Sequence, residues 1–382
     1  MLENIYSRRR FLAALPALPA GARALAQAQL KRRVYFGTDT VKDISKGIYQ
    51  AMFNTVTGEL SIPKLVVQTL RPSFLALHPV KNVLYAVNAI NVASATVTAF
   101  SMNRVSGDLK KINQVGSLGE GPCFVSVHPH GNEAYVANYF GGTMAAFDLS
   151  AKDGRLGKAS FLANGNTITE ETMAAHFHCT TLSPGARFVI TCDLGRDHIH
   201  VQRVTGASGH LVRNQPKLWN TRAGSGPRHV AFHPNRRWFY CIHELDSTID
   251  IFDWSESGGW ATINNYGRNP VSTVETKGTK NAAAEVAVSP DGRFVYASNR
   301  GEDTLVVFTV NPANGTLKLL QRIACGGKTP RHFTFATGAR WLLVGNQDSA
   351  SVTVFKRDAK TGMLTGPVHS TSLDSVMYTL VV

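Results

Sequence analysis

Along most of the chain, short runs in which apolar and polar residues alternate are broken by Pro, Gly and Asn, and the same break returns about every fifty residues. Leu77-His78-Pro79 leads into Leu84-Tyr85-Ala86-Val87-Asn88, and Val127-His128-Pro129 leads into Ala134-Tyr135-Val136-Ala137-Asn138. The unit returns at Leu182-Ser183-Pro184, Phe232-His233-Pro234 and Val288-Ser289-Pro290. A worn copy runs from Phe335 to Asn346, with Thr337 in place of the proline. Each unit continues into a β-branched run such as Thr248-Ile249-Asp250-Ile251-Phe252. Many then show a turn of the type Asn314-Gly315-Thr316-Leu317.

Alternation with period two is the mark of a strand, and Pro/Gly/Asn breaks are the mark of turns. Each repeat therefore reads as four short antiparallel strands, which is a propeller blade. Six units carry the pattern, the last of them worn, and Val34-Tyr35-Phe36-Gly37 to Leu60 supplies a seventh. A strand from Val376 to Val382 is expected to lie beside the N-terminal strands and close the ring, leaving few free edges. The prediction is an all-β protein, a seven-bladed β-propeller with four-stranded antiparallel blades, over residues 29–382. If the first segment only extends the chain, the count falls to six.

Aligning the repeats on their proline turns produces two columns. Six residues before the turn stand Ser73, Cys123, His178, Arg228, Ala284 and Arg331; ten residues after it stand Ala89, Tyr139, Leu194, Glu244, Arg300 and Gln347. The turn joins two antiparallel strands, so the start of the first lies beside the end of the second. Because the first strand of each blade lines the central channel, both columns are expected at one mouth of it. Small or apolar residues such as Ser73, Ala284, Ala89 and Leu194 would suit a structural ring. His178, Arg228, Glu244, Arg300 and Arg331 would not, because charges crowded near an axis cost desolvation energy unless they are paired. Three arginines against one glutamate point to an anionic ligand, since guanidinium forks match carboxylates and phosphates. The competing reading is a polar plug that satisfies itself and ties the blades together.

The first thirty residues stand apart from this pattern. Ser7-Arg8-Arg9-Arg10-Phe11-Leu12 fits the twin-arginine export motif, a weakly apolar stretch from Ala13 to Ala22 follows, and Ala24-Leu25-Ala26 and Ala26-Gln27-Ala28 offer cleavage sites. Residues 1–28 are thus expected to be a removable signal, with a periplasmic destination and no membrane span in the mature form. The signal carries four arginines and one glutamate, so its loss lowers the formal charge from +14 to about +11. The remaining positive residues are scattered along the blades, which argues against nucleic acid and for an acidic small molecule. Five cysteines lie far apart with no C-x-x-C pair; most are expected to be small buried hydrophobes. The pairs His176/His178 and His198/His200 would each share a strand face. No carboxylate or cysteine is spaced with them in the chain as a metal site would require, so no metal or other cofactor is expected. Ser183 and Ser225 lack the G-x-S-x-G elbow of a serine hydrolase.

At these residues the chain resembles the lactonase family of seven-bladed propellers, the family of propeller-type 6-phosphogluconolactonase and carboxy-cis,cis-muconate cyclase. The resemblance runs from Val34-Tyr35-Phe36-Gly37-Thr38 to the end of the chain. It is most specific at Gly226-Pro227-Arg228-His229 with Glu244-Leu245, Ser298-Asn299-Arg300-Gly301, Gly326-Gly327-Lys328-Thr329-Pro330-Arg331 and Asn346-Gln347-Asp348-Ser349. It implies an active site of His178, Arg228 and Glu244, with Arg300 nearby. Two departures stand out: Ala89 where the family often has an acidic residue, and His243 where it often has Asn.

The expected activity is hydrolysis of a sugar-type lactone without a metal. His178 or Glu244 would be the general base, a role worth about 10²–10⁴-fold. Arg228 would stabilise the oxyanion, and Arg300, Arg331, His229 and Gln347 would contact a small anionic lactone. Alternatively, Glu244 orients His178 or holds Arg228. The other functions weighed are cyclase chemistry on a muconate and a non-catalytic exported propeller. The expected assembly is a monomer or homodimer.

Overall fold

The computed structural model describes residues 31–41, 44–167, 173–205, 210–275, 280–336 and 338–382. The expected export signal in residues 1–28 lies outside them. The described chain forms seven four-stranded antiparallel sheets arranged as propeller blades. Blades 2 to 7 are each built from consecutive strands, the innermost being Leu75–Leu77, Pro122–Val127, Thr181–Leu182, Pro227–Phe232, Ala282–Val288 and Pro330–Ala336. Blade 1 is composite. Its outer three strands, Lys31–Thr38, Gly47–Asn54 and Lys64–Gln68, come from the start of the chain, and its inner strand, Val376–Val381, comes from the end. Val34 pairs with Val381 and Phe36 with Thr379, so the ring is closed by backbone hydrogen bonds between the two ends.

The apolar residues sort into seven clusters, one at each interface between neighbouring blades. The second strand of each blade shows why. In Trp238–His243 every side chain is buried. Tyr240 and Ile242 pack toward blade 6, while Phe239 and Cys241 pack toward blade 4. Successive side chains of a strand point to opposite faces, and in a propeller both faces are covered. Trp238, Trp341 and Phe294 lie in this inter-blade core. The five cysteines are free thiols, four of them buried.

A second device crosses the same interfaces. Tyr35, Tyr85, Tyr240 and Tyr296 each donate a hydroxyl hydrogen bond to a glycine carbonyl in the outer hairpin of the next blade: Gly107, Gly154, Gly315 and Gly362. Gly315 has a φ of +76°, and a Cβ there would come within 2.7 Å of the Trp238 ring. The Asn-Gly turn is therefore what lets the outer hairpin approach its neighbour.

One irregularity recurs where the channel begins. In blade 5 Pro227 pairs with His243 and His229 with Ile242, leaving Arg228 as an extra residue on the inner strand. The same bulge places Cys123 in blade 3, Arg331 in blade 7 and Met377 in blade 1 outside the regular ladder, and blade 6 has its extra residue between Ala283 and Val286. A bulge breaks the strict alternation of side chains. Two successive residues of an inner strand can then both face the channel.

Candidate functional site

The bulges produce two layers of side chains at one mouth of the channel. The upper layer lines a cavity of about 230 Å³ that contains Ser73, Cys123, His178 and Arg331 from the first sequence column and Ala89, Tyr139, Glu244 and Arg300 from the second. The lower layer lines a space of about 10 Å³, room for no more than one water. Bulge neighbours enter it in pairs: Arg228 with His229, Arg331 with His332, and Met377 with Tyr378.

Glu244 is the hub of the upper layer. Its Oε2 accepts from Arg228 Nε at 2.9 Å and from Arg300 Nη2 at 2.8 Å, and lies 3.9 Å from His178 Nε2. Gly226 makes this approach possible. Its carbonyl accepts the Glu244 N–H at 2.8 Å, its φ is +65°, and a Cβ on it would meet Leu245 Cγ at 2.5 Å. Arg228 also donates to the Ala284 carbonyl, and Arg300 donates to the carbonyls of Ala282 and Ala283. Burial pushes the Glu244 carboxyl up, but Arg300, Arg228 and Arg331 outweigh it and hold the group below its ordinary value. Glu244 is therefore an ionised anchor for two arginines and a weak proton acceptor.

His178 has the opposite character. Burial, reinforced by Arg228, His229, Arg331 and Arg300, holds its imidazole well below the usual value, so it is neutral at neutral pH. Its backbone N–H is fixed on Cys192 O at 2.9 Å, its ring stands edge-on to Tyr139 and His229, and its Nδ1 is buried without a hydrogen-bond partner. The Ser73 hydroxyl is likewise buried and unpartnered. Arg331 forms no hydrogen bond or ion pair with a described residue. Burial and the charges of Arg300 and Arg228 press against its protonated form, yet a guanidinium does not give up its proton in a protein. The cavity thus presents a neutral imidazole, a hydroxyl and a cation with open hydrogen-bonding capacity.

The structure brings His178, Glu244, Arg300 and Arg331 into one cavity and joins Arg228 to it through Glu244. Two residues expected as substrate contacts sit elsewhere. His229 lies in the lower layer, its Nδ1 3.1 Å from Glu285 Oε2 and 3.3 Å from Arg228 Nη1, where it buttresses the arginine from below. The bulge at Arg228 is the reason: it turns residue 229 into the channel but one level down. Gln347 lines neither space, and its backbone N–H caps Thr329 O at 3.0 Å. Its column position fixes the backbone at the mouth and leaves the side-chain direction open. Arg228 also departs from expectation, since it lines the lower space rather than the cavity itself.

The sequence reading passed over several residues here. Ser73 looked like ring filler but carries an open hydroxyl. Arg71 reaches the cavity from the connection between blades 1 and 2, paired with Asp39 at 3.1 Å. Glu285 and His332 complete the lower layer, 3.5 Å apart. A column shifted by one residue, Phe74, Phe124, Cys179, His229, Glu285 and His332, held that signal.

Comparison with known proteins places the chain among the lactonase propellers. The family described as "Lactonase, 7-bladed beta-propeller" matches residues 33–381. A 6-phosphogluconolactonase of Formosa agariphila is 31% identical over 338 residues, covering 87% of this chain and 94% of that protein. A 6-phosphogluconolactonase of Bacillus subtilis is 30% identical over 334 residues, covering 87% and 93%. The solved structure of a periplasmic gluconolactonase of Pseudomonas aeruginosa superposes with a TM-score of 0.82 at 28% identity, covering 92% of this chain and 99% of that one.

Proposed function

The chain belongs to the lactonase family of seven-bladed β-propellers, and from that premise we propose that it hydrolyses a sugar-type lactone in the cavity around Glu244, with no metal taking part. The observation that carries this reading is the combination of a neutral, buried His178 with Arg331, a cation that no described residue satisfies. A lactone is an activated cyclic ester, so a positioned base and a cation for the developing charge suffice. His178 takes the proton from a water, the resulting hydroxide adds to the ring carbonyl, and the tetrahedral oxyanion forms against Arg331 and Arg300. Collapse breaks the ring C–O bond, the proton passes from His178 to the leaving alkoxide, and an open-chain hydroxy acid results. Arg228 acts through Glu244, which it holds ionised and in place. Tyr139, Ser73 and Arg71 supply hydrogen-bonding groups for the hydroxyls of a sugar ring.

The twin-arginine motif supports a periplasmic site of action, and the likeness to a periplasmic gluconolactonase points the same way. The substrate that fits both is an unphosphorylated aldonolactone. The test is acid release by the mature chain, residues 29–382, on a panel of aldonolactones with and without a 6-phosphate, followed by pH-stat above the spontaneous rate. Enhanced release from the plain aldonolactones is the expected result. No enhancement on any of them would end this reading, and enhancement confined to the phosphorylated compounds would reassign the substrate.

A further inference from the structure

The end of the second strand and the start of the third strand meet in every blade, and four sheets pair an Asn amide with a hydroxyl there. Asn88 is held by the hydroxyls of Thr96 and Thr98, Asn138 bonds Thr143, Asn299 bonds Thr304, and Asn346 bonds Ser351 and Thr353. In blade 1, Thr38 and Ser45 join hydroxyl to hydroxyl. Blade 5 exchanges these groups for His243, Thr248 and Asp250, and brings its own cation: Arg222 grips Asp250 with Nε at 3.2 Å and Nη2 at 3.1 Å. Blade 4 differs from all of these. Its amide is replaced by Asp193 and its two hydroxyls by His198 and His200, and the three side chains are buried.

Asp193 is paired directly with His198 across the hairpin, and His200 stands two residues along on the same strand face. One ligand atom from each of the three lies within 4.8 Å of the others. His200 Nε2 and Asp193 Oδ2 are 3.6 Å apart, too far for a hydrogen bond, and both atoms are buried without a hydrogen-bond partner. Two ligands at about 2.0–2.2 Å from a tetrahedral ion are about 3.4 Å apart, close to the spacing seen. The remaining carboxylate oxygen, Asp193 Oδ1, accepts the backbone N–H of His176 at 2.8 Å. That bond fixes the ligand as an outer partner would and ties it to the segment carrying His178. The Phe177 ring packs on His200 at 4.9 Å, and none of the three side chains lines the cavity. No carboxylate is spaced with these histidines along the chain as a metal site would require. The carboxylate was across the hairpin, five residues before His198.

We propose that Asp193, His198 and His200 bind a divalent transition ion of the zinc class, completed by one water, as a structural clamp behind the segment that carries His178. Two imidazoles and a carboxylate are a donor set that zinc accepts. The site is separate from the lactone cavity, and its existence does not depend on the hydrolytic reading.

The test uses the untagged mature chain, loaded with zinc and freed of excess by gel filtration. One zinc ion per chain is expected, with chelation by EDTA lowering the unfolding temperature and added zinc restoring it. Cobalt(II) in its place should give the visible absorption of a low-coordinate nitrogen–oxygen site. The variant Asp193→Asn/His200→Thr rebuilds the amide–hydroxyl pair of the sibling blades. It should fold, be indifferent to EDTA, and bind zinc more weakly by more than about 100-fold, since loss of an outer-sphere partner alone costs about 10–100-fold. Absence of stoichiometric zinc in the loaded wild type, or zinc retained equally by the double variant, overturns the assignment. If the double variant fails to fold, His200→Gln alone provides the same comparison.

Discussion

Arg228 donates its Nε–H to Glu244 Oε2 at 2.9 Å, and so a residue of the lower channel layer sets the charge of the cavity above it. Removing one member of a buried ion pair costs up to about 3–5 kcal/mol, and here Arg300 still compensates Glu244 in part. Arg228→Ala is expected to lower stability by that order in chemical denaturation, together with a fall in activity. Arg331→Ala should behave differently. With no ion pair to lose, its stability should stay near the wild-type value, while kcat falls about 10–100-fold, the cost of one charge-assisted contact to the developing oxyanion of about 1.5–3 kcal/mol. Equal stability losses in the two variants would contradict this division of labour.

The protonation state of His178 yields a pH profile. As a neutral base held well below its usual value by burial and by the arginines, it is active in the unprotonated form. Activity should therefore be flat through neutrality and fall only as pH drops through a value below 6.5. His178→Asn should reduce kcat by about 10²–10⁴-fold. Arg331→Ala removes one of the charges that oppose protonation, so its acid limb should move to higher pH. A limb that stayed in place in that variant would exclude His178 as the titrating group.

Stability should carry its own acid signature. Burial, only partly opposed by Glu285, holds His332 at about 4 in the folded chain, against 6.5 for the unperturbed side chain. The unfolded chain therefore takes up this proton first as pH falls. The contribution is complete above pH 6.5 and is lost progressively between about pH 6.5 and 4, by about 2–3 kcal/mol. Denaturation midpoints of wild type and His332→Gln measured across that window should converge toward acid pH.

The tyrosine latches can be tested one interface at a time. Tyr240→Phe deletes only the hydroxyl bonded to Gly315 O at 2.9 Å. It should cost about 0.5–1.5 kcal/mol, with kinetic constants unchanged because the bond lies at the outer edge of blades 5 and 6.

The architecture was legible because the proline turn recurs in five blades about every fifty residues, with alternating strands on either side of it, so one unit predicts the next. The ring at the channel mouth was legible for the same reason: Ser73, Cys123, His178, Arg228, Ala284 and Arg331 hold equivalent backbone positions. The sequence was silent where a local break in geometry decides direction. Nothing in Pro227-Arg228-His229 announces a bulge, yet the bulge lowers Arg228 and His229 beneath the cavity and leaves Arg331 as its open cation. Asp193 was missed for a related reason. Metal spacing was judged along the chain, whereas the hairpin register brings the carboxylate opposite His198.

Blade 1 takes its inner strand from the last residues of the chain, and Met377 on that strand lines both the cavity and the space below it. Until that strand docks, the chain is an open arc of six blades and three strands of a seventh, with a gap in the wall of its pocket. Docking of Val376–Val381 onto Lys31–Thr38 therefore shuts the ring and finishes the pocket wall together, so that closure of the fold and assembly of the site are one event.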